Sequence, residues 1–208
     1  MELMEKKFYD ALKKYLPPNA LAYCYDLWMK YRFRLKIVNN RRSKLGDYRY
    51  DPAKDLHIIT VNRTLNPYNF LITYIHETAH LAANKEYGRK KKPHGKEWKS
   101  VYKRLMQPLL SESIFPADLL QPLRRHMQNP AASSYSDEAL CKALRRYDAE
   151  THLEMLDNIQ IGEEFIFHKR LFKKEGVKRT RVLCCEVVTG KKYLIPKLAM
   201  VLKAGSSG

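Results

Sequence analysis

Two histidines and a glutamate in the run Ile75-His76-Glu77-Thr78-Ala79-His80, with Pro93-His94-Gly95 downstream, are the residues of this chain best suited to chemistry. His76 and His80 are four positions apart, so on a helix they leave one face with one imidazole a turn above the other. Two imidazoles need that spacing to share one tetrahedral metal ion. Glu77 lies between them, where a carboxylate reaches a metal-bound water and serves as general base. His94 supplies a third ligand, and three protein ligands leave the fourth position open, which separates a catalytic zinc from a structural one. The competing reading of the doublet, a pair of hydrogen-bonded core histidines, leaves both the glutamate and the downstream histidine unexplained.

These side chains need a helix to carry them and a scaffold to hold it. The spacing predicts a helix over residues 67–87, with Pro67 in its first turn and Gly88 at its C-terminal cap. Leu71, Ile75, Thr78 and Ala82 form one buried stripe, and Phe70, Tyr74 and Leu81 form another. A helix apolar on both flanks is central to its domain. Residues 45–50 and 57–62 read as two short strands around an Asp51-Pro52 turn, giving a small antiparallel sheet against that helix. A helix over 97–110 would turn Trp98, Val101, Tyr102 and Leu105 inward and fix His94. Glu97 is read there either as a hydrogen-bond partner of a ligand imidazole or as an exposed helical residue. Upstream, residues 2–16 and a second helix to about residue 33, capped by Asn19, supply aromatic packing faces.

The stretch 35–106 resembles the SprT-like family of zinc metallopeptidases, which includes the Spartan proteases. The resemblance rests on Ile37-Val38-Asn39, Leu45-Gly46-Asp47-Tyr48, His57-Ile58-Ile59-Thr60-Val61-Asn62, His76-Glu77-Thr78-Ala79-His80-Leu81 and Pro93-His94-Gly95-Lys96-Glu97-Trp98-Lys99. The late histidine followed by glycine and an aromatic-lysine pair is the discriminating segment. The resemblance implies one catalytic Zn2+ bound by His76, His80 and His94, with Glu77 as base. It also implies proteolysis of proteins bound or crosslinked to DNA, a setting in DNA repair. From zincins in general it implies that an exposed sheet edge holds the substrate as an added strand. Tyr48, Arg49 and Tyr74 are the candidate oxyanion stabilisers.

Composition widens the expectation to nucleic acid. The chain has 208 residues, 45% of them hydrophobic, and a formal charge of +17, which attracts polyanions. Arg89, Lys90, Lys91 and Lys92 precede His94, and Lys178, Arg179 and Arg181 form a second basic run. Both are candidate contacts to phosphates, insensitive to sequence. The first 14 residues lack a signal-peptide pattern and no apolar stretch approaches a membrane span. Cys24, Cys141, Cys184 and Cys185 have no Cys-x-x-Cys spacing and read as reduced thiols. A cytoplasmic protein, nucleoid-associated if it binds DNA, is expected.

The tail departs from the family pattern. Residues 111–136 read as a connecting segment that becomes a linker near Asn129, with Ser136 capping a helix over 137–147. Strands follow over 164–168, 179–188 and 192–196, with turns at 174–176 and 189–191. Many SprT-like proteins end in a zinc ribbon held by paired cysteines, whereas this tail has only the adjacent Cys184 and Cys185.

The expectation is an α+β chain in three parts. Residues 1–128 form a zincin-like metallopeptidase domain of N-terminal helices, small antiparallel sheet and His-Glu-x-x-His helix. Residues 129–157 form a linker and helix, and 158–203 a small basic β-rich module. The function read from these parts is a zinc metallopeptidase with a protein substrate and a nucleic-acid partner, DNA in particular. The alternative is a non-proteolytic zinc-containing nucleic-acid-binding protein.

Overall fold

The computed structural model describes residues 3–39, 41, 44–89, 91–133, 137–149 and 153–204. It divides into two compact units, Met1–Asp148 and Ala149–Gly208. The architecture is α+β, and among the described residues no helix is long and apolar enough to cross a membrane.

In the first unit, α1 (Leu3–Lys13) and α2 (Leu21–Tyr31) precede a sheet of β1 (Arg34–Val38), β2 (Gly46–Asp51) and β3 (Leu56–Asn62). Then come α3 (Pro67–Tyr87), α4 (Lys96–Met106), α5 (Ala117–Gln128) and α6 (Glu138–Arg145). The long central helix α3 is buried on nearly every side, through Phe70, Leu71, Ile72, Tyr74, Ile75, Ala79, Leu81 and Ala82. Its start is fixed by Asn66, whose side-chain oxygen accepts from the Asn69 amide at 2.9 Å, a cap of about 1 kcal/mol. Gly88 ends it at φ 77° while donating its N–H to Asn84 O. The Tyr74 hydroxyl donates to Cys24 O at 2.9 Å and ties the helix to α2.

The sheet has the order β1-β3-β2, with β1 parallel and β2 antiparallel to β3. It is therefore mixed, not purely antiparallel as expected. The added strand β1 alternates exposed Arg34 and Lys36 with half-buried Leu35 and Ile37, a pattern too short and too basic to stand out in the sequence. Buried Asn62 at the end of β3 anchors the approach to β2. It receives the Arg41 guanidinium at 3.0 Å, donates its side chain to Lys44 O at 2.9 Å and its amide to Leu45 O at 2.9 Å.

Three expectations on this unit are corrected. Residues 117–128 form α5 despite Pro122, because Leu119, Leu120, Leu123 and Met127 make a buried stripe at helical spacing that outweighs one lost backbone bond. Helix α6 is part of the first unit and not of a linker. Leu140, Ala143 and Leu144 join the main core, and Asn66 donates to Leu144 O at 2.9 Å and to Asp148 at 2.7 Å. Its N-cap is Asp137, whose carboxylate accepts from Leu140 N, while the expected cap Ser136 lies outside the described residues. Asn19 does not cap α2: it sits in a 3-10 turn and donates to Ser113 O.

The second unit is a six-stranded antiparallel sheet of order β4-β9-β5-β6-β7-β8. Its strands are β4 (Leu153–Met155), β5 (Glu164–Phe167), β6 (Arg170–Val177), β7 (Arg181–Glu186), β8 (Lys192–Pro196) and β9 (Met200–Lys203). Phe165, Phe172, Val182, Cys184, Ile195 and Val201 point to one face and make its core. The turn expected at 174–176 is instead inside β6, where the register shifts between Lys174 and Gly176 as a bulge. The chain reverses earlier, at His168 and Lys169, both at positive φ (52° and 65°) as a two-residue hairpin turn requires. Lys174 is 3% exposed, and its ammonium donates to the carbonyls of Leu156, Asp157 and Ile159 at 3.0, 3.1 and 2.6 Å. That replaces the lost hydration of the charge and fixes the loop before β5.

Arg170 and Thr189 hydrogen-bond the Glu186 carboxylate and hold it down from its ordinary 4.5 to about 2. A depressed carboxylate stabilises the fold above its unfolded pKa and loses that contribution as pH falls through the folded value. Hydrogen exchange should therefore show β6 and β7 opening more readily at pH 2 than at pH 5, beyond the intrinsic pH effect, and Glu186→Gln should flatten the dependence. An equal profile in both proteins would refute the role of the pair.

Candidate metal centre

Helix α3 presents His76 and His80 one turn apart, and the turn before α4 brings His94 to them. The three Nε2 atoms form a triangle with sides of 3.2, 3.0 and 3.2 Å. Burial, and then the neighbouring imidazoles, push His76 well below its ordinary pKa. Burial, with His94 beside it, takes His80 down to about 3, and burial lowers His94 too. All three rings are therefore neutral, the form that ligates a metal. Three neutral imidazoles cannot satisfy one another around a triangle, because each Nε2 holds either one proton or one lone pair. A shared cation resolves the arrangement: tetrahedral Zn–N bonds of about 2.0–2.1 Å put nitrogens about 3.3 Å apart. The residues fit a metal ion, and among the described residues this is where such a cluster of ligands occurs.

The cluster is positioned by packing. Trp98, 2% exposed on α4, has ring centroids 4.7 Å from His76, 5.1 Å from His80 and 4.7 Å from His94. Tyr102, one turn further on, stacks on Trp98 at 4.8 Å and meets His76 at 5.5 Å. The sequence anticipated both inward positions, and Trp98 serves as a common wall for all three imidazoles. His94 itself is at φ 58°, a left-handed conformation uncommon for a side-chain-bearing residue. The turn is closed by Gly95 N donating to Lys92 O at 3.0 Å. Glu97 pairs with the Lys91 ammonium at 3.9 Å and not with a ligand imidazole.

Glu77, 7% exposed, is pressed against the first residue of β2. A Cβ on Gly46 would lie 2.6 Å from the Thr73 methyl and 2.7–2.8 Å from Glu77 atoms, so only glycine lets the strand come this close. Burial first, and then the Asp47 charge, push the Glu77 carboxyl up to about 8. Arg41, Lys44 and a backbone hydrogen bond from Tyr48 act in the opposite direction. A dication at the histidines would add to that opposition and favour the charged form. Gly46 was absent from the sequence-level site; its signal is its place in the Leu45-Gly46-Asp47-Tyr48 segment, read there as the start of a strand and as part of the family resemblance.

The histidines and Glu77 line a cleft of about 460 Å³ walled by β2, α3, the turn before α4 and Ala132. Arg89, Lys91 and Lys92 also line it, as the basic run before His94 suggested, whereas Lys90 lies outside the described residues. Arg89 stacks over the Tyr50 ring at 4.1 Å. Lys178, Arg179 and Arg181 lie elsewhere, at the exposed β6–β7 turn and the start of β7 in the second unit. Of the three oxyanion candidates only Tyr48 faces the cleft; its hydroxyl is 2.9 Å from His57 Nδ1. Tyr74 is fully buried and bonded to Cys24 O, and Arg49 is exposed on the strand.

No curated protein and no solved structure matches the chain. Residues 22–118 match the model of the SprT-like family, a span from α2 into the start of α5 that includes the three histidines, Glu77 and Gly46. Over this segment the chain is similar to the SprT-like family.

Proposed function

We propose that the first unit is a zincin-like, zinc-dependent metallopeptidase that acts on DNA-associated or DNA-crosslinked proteins. The observation that carries the reading is the convergence of three neutral imidazoles, with their Nε2 atoms 3.0–3.2 Å apart, beside the buried Glu77 carboxylate. His76, His80 and His94 would hold the ion, which when bound polarises the scissile carbonyl and acidifies water. Glu77 accepts the proton of the attacking water on a carboxylate oxygen and delivers it to the nitrogen of the leaving amine. Strand β2 is an edge of its sheet and lines the cleft, so it can pair with an extended substrate segment through backbone hydrogen bonds. The total charge of +17 and the cleft-lining Arg89, Lys91 and Lys92 support a polyanion held beside that substrate.

The test is elemental analysis of the native protein purified without added metal, followed by digestion of a flexible basic protein with and without single-stranded DNA. About one zinc per chain and cleavage enhanced by DNA are expected. A zinc-loaded protein that binds DNA and cleaves nothing would replace this reading with that of a non-proteolytic nucleic-acid-binding protein.

Gly46→Ala gives a more local check. The new methyl must displace Glu77 or the strand, and a misplacement of about 1 Å at a reacting group costs on the order of 100-fold in rate. Proteolysis should fall by about that factor while zinc content stays native. Unchanged turnover would mean that Glu77 does not need the position seen here.

A further inference from the structure

Among the described residues, eight large hydrophobic side chains are exposed, and all but Tyr87 belong to the second unit. Three of them line up across its sheet. Leu153 lies opposite Leu202, Leu202 opposite Ile166, and Ile166 opposite Leu171. The row ends just past β7 at Val187, whose amide donates to Leu171 O at 3.0 Å. Leu153, Ile166 and Val187 are 43%, 39% and 44% exposed, and Leu202 and Leu171 are half-buried between them. The alternate positions Phe165, Phe172 and Val201 point the other way, into the core. An antiparallel sheet with one face on its core usually turns polar residues outward. Here the outer face carries a continuous aliphatic row, and contiguous apolar surface marks a place where something binds.

We infer that this outer face is a docking surface for an acidic amphipathic helix of a partner protein. The role is independent of the peptidase reading, since no residue of the metal cluster belongs to the second unit. The spacing of the row selects a helix. Residues opposite one another on adjacent strands are about 4.8 Å apart, close to the pitch of about 5.4 Å per helical turn. Same-side residues of an extended chain repeat only every ~6.6 Å. From Leu153 to Val187 the row spans about 19 Å, or about 13 helical residues, so an apolar stripe on a helix meets it turn by turn. Charge selects the helix's flanks. Exposed Lys169 and Lys173 stand two positions to either side of Leu171, with Glu164 across from Lys173. Over residues 153–204 eleven Lys and Arg outnumber six Asp and Glu. Glutamates bordering the stripe therefore complement the rim. A second copy of the chain would instead set two faces of like charge together. A lipid surface is met by Trp and Tyr at headgroup level, and single-stranded nucleic acid by stacking aromatics; the row has neither.

The test uses a fluorescein-labelled peptide of about 18 residues, with leucine at helical spacing on one face and glutamate elsewhere. A second peptide keeps the glutamates and has serine for every leucine. Both are titrated with the full chain by fluorescence anisotropy, and hydrogen exchange maps the contact. One variant combines Ile166→Ser with Val187→Ser; both side chains are exposed and lie outside the core of the second unit, so the sheet survives, which its melting temperature checks. The leucine peptide should bind the native chain about tenfold or more tighter than the serine peptide, and should protect β5 and β6 from exchange. The double variant should lose that advantage, because each aliphatic side chain newly buried contributes about a factor of ten. Lys173→Glu, which leaves the row whole, should weaken the leucine peptide severalfold through the rim. Equal binding of the two peptides by the native chain would overturn the proposal and reduce the contact to charge alone. Undiminished binding of the leucine peptide by the double variant would overturn it too, by placing the contact elsewhere. Dimerisation in sedimentation, or capture by phosphatidylglycerol vesicles, that the double variant lacks while neither peptide is preferred would give the row to a second copy or to a membrane instead.

Discussion

Replacing Glu77 by glutamine should leave one zinc per chain and lower proteolysis by about 10²–10⁴-fold, the contribution of a positioned general base. Glutamine has the same shape, so the close packing against Gly46 and Thr73 survives. The amide, however, cannot accept a proton. The three imidazole nitrogens that converge are untouched, and zinc retention should follow from that. The contrast between intact metal and lost turnover is the informative result. If the glutamine variant cleaved at a rate near the native one, Glu77 would be a packing residue and the base would have to be sought elsewhere in the cleft. The melting temperature should hold or rise, because the neutral amide ends the burial cost that pushes the carboxyl up to about 8.

Removal of His94 should have a larger effect on the metal. His76 and His80 come from one rigid helix, and His94 is the ligand that closes the site from a different element. With His94→Ala, zinc affinity should fall by well over the roughly 100-fold upper range of an outer-sphere partner, and proteolysis should vanish with it. His94→Gly separates the ligand from the backbone. The native residue is held at φ 58°, a conformation that costs a side-chain-bearing residue about 1–3 kcal/mol. Glycine removes that cost. In the presence of a chelator the glycine variant should therefore melt above the alanine variant, although both have lost the metal. Retention of zinc by either variant, measured after dialysis against a weak chelator, would show that the third ligand is another group.

The site was legible because its chemistry is local in sequence. His76, Glu77 and His80 are within two turns of one helix, and that helix announces itself by Pro67, by Gly88 and by apolar residues on two flanks. His94 could be added because it follows a short turn. What could not be read depends on approach between distant segments. Gly46 matters only because β2 lies against α3, a closeness visible in no spacing. A second cavity beside Glu77 is lined by Leu45, Ile72, Tyr102 and Ala132, which two helices and two loops bring together. Helix α5 was hidden by Pro122, because a breaker was weighed above the leucine stripe that packs the helix down. In the second unit Gly176 was read as a turn and is a bulge: glycine permits both, and only the cross-strand register decides. Each miss is a tertiary contact overruling a local preference.

The buried ammonium of Lys174 bears on how a metal assay of this chain is to be read. The loop of the second unit is gathered by one amine holding three carbonyls, where a cysteine-bound ribbon would gather its loops around an ion. An amine leaves no signal in elemental analysis and does not yield to a chelator. Among the described residues the histidine cluster is where ligands for an ion gather, so the stoichiometry measured on the intact chain reports on that cluster. In a chelator titration the β-sheet signals of residues 153–204 then serve as the internal reference for the loss of metal from the histidines.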